Sequence, residues 1–73
     1  MSLGVPGQIV SISGVVAIID FWGVRQEVRL DVLETPVFIG DYVITYEGCA
    51  IRRIPTEEVL DTMAMYETVL AEA

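Results

Sequence analysis

The side chains able to do chemistry are few. The chain has no histidine, so the commonest general base and a common metal ligand are missing. Serine–histidine and cysteine–histidine mechanisms are excluded within one chain. Cys49 is the single cysteine, which rules out an internal disulfide and a zinc-binding cysteine pair. Gly4-x-x-Gly7 neither follows a strand nor opens a helix, so its spacing is not that of a phosphate loop. Glu27 and Asp31 are carboxylates available for acid–base work, but nothing in their spacing sets them apart from solvated surface charges. The sequence therefore names no catalytic residue and points to a binding protein rather than an enzyme.

The elements that carry these residues fall into three parts. Met1-Ser2-Leu3-Gly4-Val5-Pro6-Gly7 is poor in helix formers, and its Pro-Gly pair reads as a turn. Ser2 is small, so removal of Met1 is expected to leave it with the free amino group. The middle reads as five short strands. Gln8–Ser13 alternates. Val15–Phe21 is a β-branched run that suggests burial on both faces. In Val24–Leu30, Val24, Val28 and Leu30 share one face while Arg25, Glu27 and Arg29 share the other. A loop at Asp31–Ile39 leads to Tyr42–Tyr46, and the Glu47-Gly48 turn leads to Cys49–Ile54. After Pro55 the spacing predicts a helix from Thr56 to Glu72. Thr56 is its expected N-cap, and Val59, Met63, Tyr66 and Leu70 form its apolar stripe. Five antiparallel strands close most economically into a barrel, which hides sheet edges. The expected fold is mainly β, an OB-like five-stranded barrel over about 5–54 with a C-terminal helix over about 56–72, all in one domain, 1–73.

Composition narrows the function classes. The chain has 73 residues, of which 53% are hydrophobic, and its net charge is -7 from four arginines and eleven acids. A nucleic-acid binder needs a basic patch to neutralise phosphates. Only clustering of Arg25, Arg29, Arg52 and Arg53 would supply a small one, so nucleic acid is not an expected partner. The longest aliphatic run, Val15–Ile19, is far short of the roughly 20 residues of a spanning helix, so no membrane partner is expected. No signal-peptide pattern opens the chain. With its lone cysteine it reads as cytoplasmic.

Met1-Ser2-Leu3-Gly4-Val5-Pro6-Gly7-Gln8-Ile9-Val10 resembles the opening of the HypC/HupF family, which usually has cysteine at position 2. Ile19–Val28, then Val32-Leu33 with Gly40-Asp41-Tyr42-Val43, then Gly48-Cys49-Ala50-Ile51, and the final acidic-apolar helix are similar to further family segments, in order. The resemblance implies a chaperone for assembly of the [NiFe] hydrogenase active site. Such a protein binds a HypD-like scaffold protein while the Fe(CN)2(CO) unit is built, then the hydrogenase large-subunit precursor. It also implies that residues Ser2, Leu3, Gly4, Val5, Pro6 and Gly7 form the partner-binding segment. Substituting Gly4 or Pro6 is expected to abolish partner binding without unfolding the chain. No cofactor is expected to be held tightly, and the iron unit would be transient cargo.

Two positions depart from the family pattern. Ser2 stands at the iron-linked cysteine position, and a hydroxyl is a hard, weakly acidic ligand, poorly suited to cyanide-bound iron. Tyr46 stands where the family often has histidine. Three explanations compete for Ser2: a replacement introduced to block oxidation or trap a complex, a natural paralogue that guards the large subunit without iron, or substitution by Cys49 as the metal ligand. Trp22 beside Phe21 is expected to cap the core or to anchor an interface. Tyr46 and Met65 are further candidate partner contacts. Cys49 alternates with Ile51 and otherwise reads as a buried, inert thiol.

Overall fold

The structure, a computed structural model, describes residues 4–72. Five strands are followed by a helical end: β1 (Val5–Ser13), β2 (Val16–Phe21), β3 (Val24–Arg29), β4 (Tyr42–Tyr46), β5 (Cys49–Arg53), a 3-10 turn at Thr56–Glu58, and α1 (Val59–Glu72). The strands close into a barrel in the order β1-β2-β3-β5-β4. The mainly β, OB-like expectation is met.

Alternation decides what fills the barrel. Ile9, Ala17, Ile19, Val28, Val43 and Ala50 point inward and form one buried cluster, with Phe21, Leu30, Leu33 and Val37 packed against it. Val16 and Ile18, the intervening residues of β2, remain half-exposed. The run read as buried on both faces is therefore fully buried on one. Val24 follows the inward phase of β3 but is 59% exposed, because it lies at the strand's start, where the barrel opens.

The Pro6-Gly7 pair does not make a turn. It lies inside β1, with Val5 opposite Thr45, Pro6 opposite Ile44 and Gly7 opposite Val43 of β4. A proline is tolerated in a strand only where its missing N–H has no partner to serve. Ile9 N–H donates toward β4's side, to Asp41 C=O at 2.9 Å, so by alternation the Pro6 nitrogen faces β2's side. Pairing with β2 begins only at Gln8, and no bond is lost.

The helix also starts differently from the sequence reading. Pro55 is the N-cap, with φ -55° and ψ 141°, no side chain caps the end, and the first turn is 3-10. Glu57 and Glu58 do lie in that turn, where the helix dipole favours acids. Val59, Met63 and Tyr66 are half-buried, but Leu70 is 58% exposed. α1 packs on β1 alone among the strands with appreciable contact. Its 14 residues extend about 21 Å, and the last turns overhang the barrel. No described helix is long and apolar enough to cross a membrane.

Candidate partner-binding site

The N-terminal segment is built into the barrel rather than laid upon it. Gly4 has φ +85°, and a methyl group there would stand 2.5 Å from the Thr45 carbonyl oxygen and 2.8 Å from Ile44 Cγ2. Only glycine fits both the backbone angle and the space. A methyl group at Gly7 would collide with Ile19 Cγ2 and reach 2.9 Å from the Phe21 ring. Pro6 is fully buried. Thr45 fastens the segment from across the ladder, its hydroxyl donating to Val5 C=O at 3.0 Å. Of the partner-binding residues expected, Gly4, Pro6 and Gly7 are buried and Val5 is 44% exposed. Ser2 and Leu3 lie outside the described residues. The buried three shape and hold the start of β1. Substituting Gly4 or Pro6 is accordingly expected to strain the barrel itself, which weighs against the expectation that either could be changed without unfolding the chain.

Tyr46 ends β4 and is 42% exposed. With Gly4, Val5, Thr45, Phe21 and Gln26 it lines a cleft of about 480 Å³. Trp22 does not reach this cleft. It sits in the β2–β3 turn at φ 51°, and its indole N–H donates to Glu67 Oε2 of α1 at 2.9 Å. The turn is fixed by Asp20, whose Oδ1 accepts the Gly23 N–H at 2.9 Å while Oδ2 meets Arg25 at 3.3 Å. The Gly23 N–H first, and Arg25 with it, hold the Asp20 carboxyl below the usual carboxylate value. Met65 is 59% exposed on α1. The structure thus brings Tyr46 to the N-terminal segment and sets Trp22 and Met65 on the side of the molecule that carries the helix. Sequence reasoning missed Thr45 and the Trp22–Glu67 bond. Neither leaves a local signal, since their partners lie 40 and 45 residues away.

Cys49 is half-buried rather than sealed in the core, because the inward place next to it belongs to Ala50. It pairs with Tyr46 of β4 and Arg29 of β3. β4 separates it from β1, so its backbone is about 10 Å from that strand at ordinary strand spacing. Among the described residues no group of three His, Cys, Asp or Glu side chains is placed to hold a metal ion. Each arginine is tied to a carboxylate: Arg25 to Asp20, Arg29 to Asp31, Arg52 to Glu58 and Arg53 to Asp41. The four do not pool into a bare basic patch.

The glycine-proline-glycine segment and its cleft lie within a stretch that matches a known family. The sequence model of the HupF/HypC family matches residues 1–66. The chain belongs to the HupF/HypC family. It is 34% identical over 71 residues to hydrogenase maturation factor HypC of Helicobacter hepaticus, spanning 96% of this chain and 83% of that protein. It is 33% identical over 67 residues to hydrogenase maturation factor HypC of Cupriavidus necator, spanning 90% and 73%. A third relative, Frd operon uncharacterized protein C of Proteus vulgaris, is 30% identical over 69 residues, spanning 86% and 72%. The HupF/HypC match takes in the whole barrel and the first turns of α1, so the buried geometry at Gly4, Pro6 and Gly7 lies inside it.

Proposed function

We propose that this HupF/HypC chain is a hydrogenase maturation chaperone that binds the hydrogenase large-subunit precursor and a HypD-like scaffold protein during Fe(CN)2(CO) insertion. The observation that carries the reading is the family match over residues 1–66, together with two relatives named as hydrogenase maturation factors. The geometry supports it in kind. Gly4, Pro6 and Gly7 pin the start of β1, so Gly4 and Val5 are held beside an open cleft at small entropic cost. The role is binding, not catalysis. The test is a pull-down from a hydrogenase-producing extract with the tagged chain, read by mass spectrometry. Recovery of the large-subunit precursor and the scaffold is expected. Their absence, with the chain folded, contradicts the reading.

Ser2 favours a second reading, a paralogue that guards the large subunit without carrying iron. A serine hydroxyl keeps its proton at neutral pH and offers a hard oxygen, whereas a thiolate suits low-spin iron. Running Ser2→Cys in parallel separates the two. If only the cysteine variant brings CO and cyanide stretches in the infrared, serine has switched off carriage and left binding intact. Stretches of equal strength in both eluates assign iron carriage to the serine form and reject the paralogue.

A further inference from the structure

The barrel closes unevenly. β3 pairs with β2 along its whole length, Val24 to Arg29, but meets β5 at one point, Arg29 opposite Cys49. The direction of each backbone group follows from two bonds. Leu30 N–H donates toward β2's side, to Val15 C=O at 2.7 Å, and Arg29 N–H donates the other way, to Gly48 C=O at 2.9 Å. Backbone groups alternate between the two edges of an antiparallel strand. Arg25 and Glu27 therefore present N–H and C=O on the edge that faces away from β2. β5 runs parallel to β3 and begins beside its last residue, so no strand lies next to Arg25 and Glu27. Among the described residues these backbone groups have no ladder partner.

A free edge is a template for an added strand. This one borders the 480 Å³ cleft, which Gln26 of β3 lines on one side and Val5 and Tyr46 on the other, with Phe21 between. Glu47 lines the cleft and Glu27 lies on the outward face of the edge strand, both exposed and without an ion pair among the described residues, while Arg25 on the same face is paired with Asp20. We propose that the Arg25–Glu27 edge receives an extended segment of the large-subunit precursor, added as a strand beside β3, with an apolar side chain in the cleft and a Lys or Arg against Glu27 and Glu47. The proposal rests on the chaperone reading and names the edge that the partner uses. Gly4 lines the same cleft, so the added strand would run beside the N-terminal segment. Backbone pairing gives the affinity, and the period of two lets one side chain in each pair enter the cleft.

The test is amide hydrogen exchange, read by NMR at Arg25 and Glu27, in the free chain and in its complex with purified large-subunit precursor. Exchange is expected to be fast in the free chain and slower by about tenfold or more in the complex, the scale of one protected hydrogen bond. Glu27→Pro removes an N–H that faces away from β2, so it should spare the β2–β3 ladder and weaken the complex by about tenfold. Joint Glu27→Lys and Glu47→Lys substitution should weaken it as well, and it carries the test if the proline variant does not fold. A complex with no protection at these amides overturns the proposal and leaves the chaperone reading standing. So does full affinity in the proline or the lysine variant. Protection already present in the free chain assigns the edge to this chain's own residues, and protection that rises with its concentration assigns it to a second copy. Either overturns the proposal. Failure to form any complex overturns both readings.

Discussion

Two glycines in the N-terminal segment are fixed by what surrounds them. A methyl group at Gly7 meets Ile19 and Phe21, and overpacking of this kind costs about 1–3 kcal/mol. Gly7→Ala should therefore lower the unfolding free energy from a urea titration by an amount in that range, and an unchanged midpoint would show that the strand can move aside. Gly4→Ala adds a side chain at φ +85° and should be at least as damaging. Partner contacts are better tested at Val5, whose side chain is exposed. Asp20 makes a different kind of local link. Its carboxyl is held below the ordinary value of 3.8 by the Gly23 N–H and Arg25, and that of Asp31 by Arg29. A carboxylate lowered in the folded state contributes stability that is complete above the unfolded-state value and lost as pH falls through the folded one. Stability should accordingly decline below about pH 4. Asp20→Asn should make that decline shallower in a denaturation series between neutral and acid pH. Both carboxylates are exposed, so added salt should shrink the effect.

Among the elements, α1 is the least secured. It packs mainly on β1, and its side-chain link to the β2–β3 turn is the 2.9 Å bond from Trp22 to Glu67. Trp22→Phe keeps much of the apolar surface and removes that donor. Amide exchange in α1 should quicken by up to about tenfold, the worth of one hydrogen bond, with the barrel amides unchanged. Equal quickening in the barrel would mean that helix and barrel open as one unit. β2 to β5 were legible because alternation and β-branched residues report a half-buried strand directly. The start of β1 was not, since Pro-Gly has a strong local turn preference and only pairing with β4 overrides it. The helix was legible in extent but not at its cap, because Pro55 occupies the position that Thr56's side chain was expected to fill. Gly4, Pro6 and Gly7 could be named from family resemblance, but their burial could not. The cleft needs Phe21, Gln26 and Tyr46 brought together from three strands, and no window of sequence contains that.

For the molecule as a whole, a small core carries most of the stability. A domain this short buries only about 60% of its unfolded surface, and its interior is a handful of residues around the fully buried Ile19, Ile9 and Val43. Ile19→Ala should cost about 2–5 kcal/mol, enough to unfold a marginal domain in part at 25 °C, as circular dichroism would show. The net charge of -7, with every arginine paired, makes the surface selective for a basic partner and repels acidic ones. The account rests on recognition of an unfinished hydrogenase large subunit. The measurement that tests it most directly is sedimentation of the purified chain with that subunit, once as the precursor and once as the mature, metal-loaded form. The account predicts a complex with the precursor and none with the mature form. Equal binding to both forms, or to neither, would contradict it.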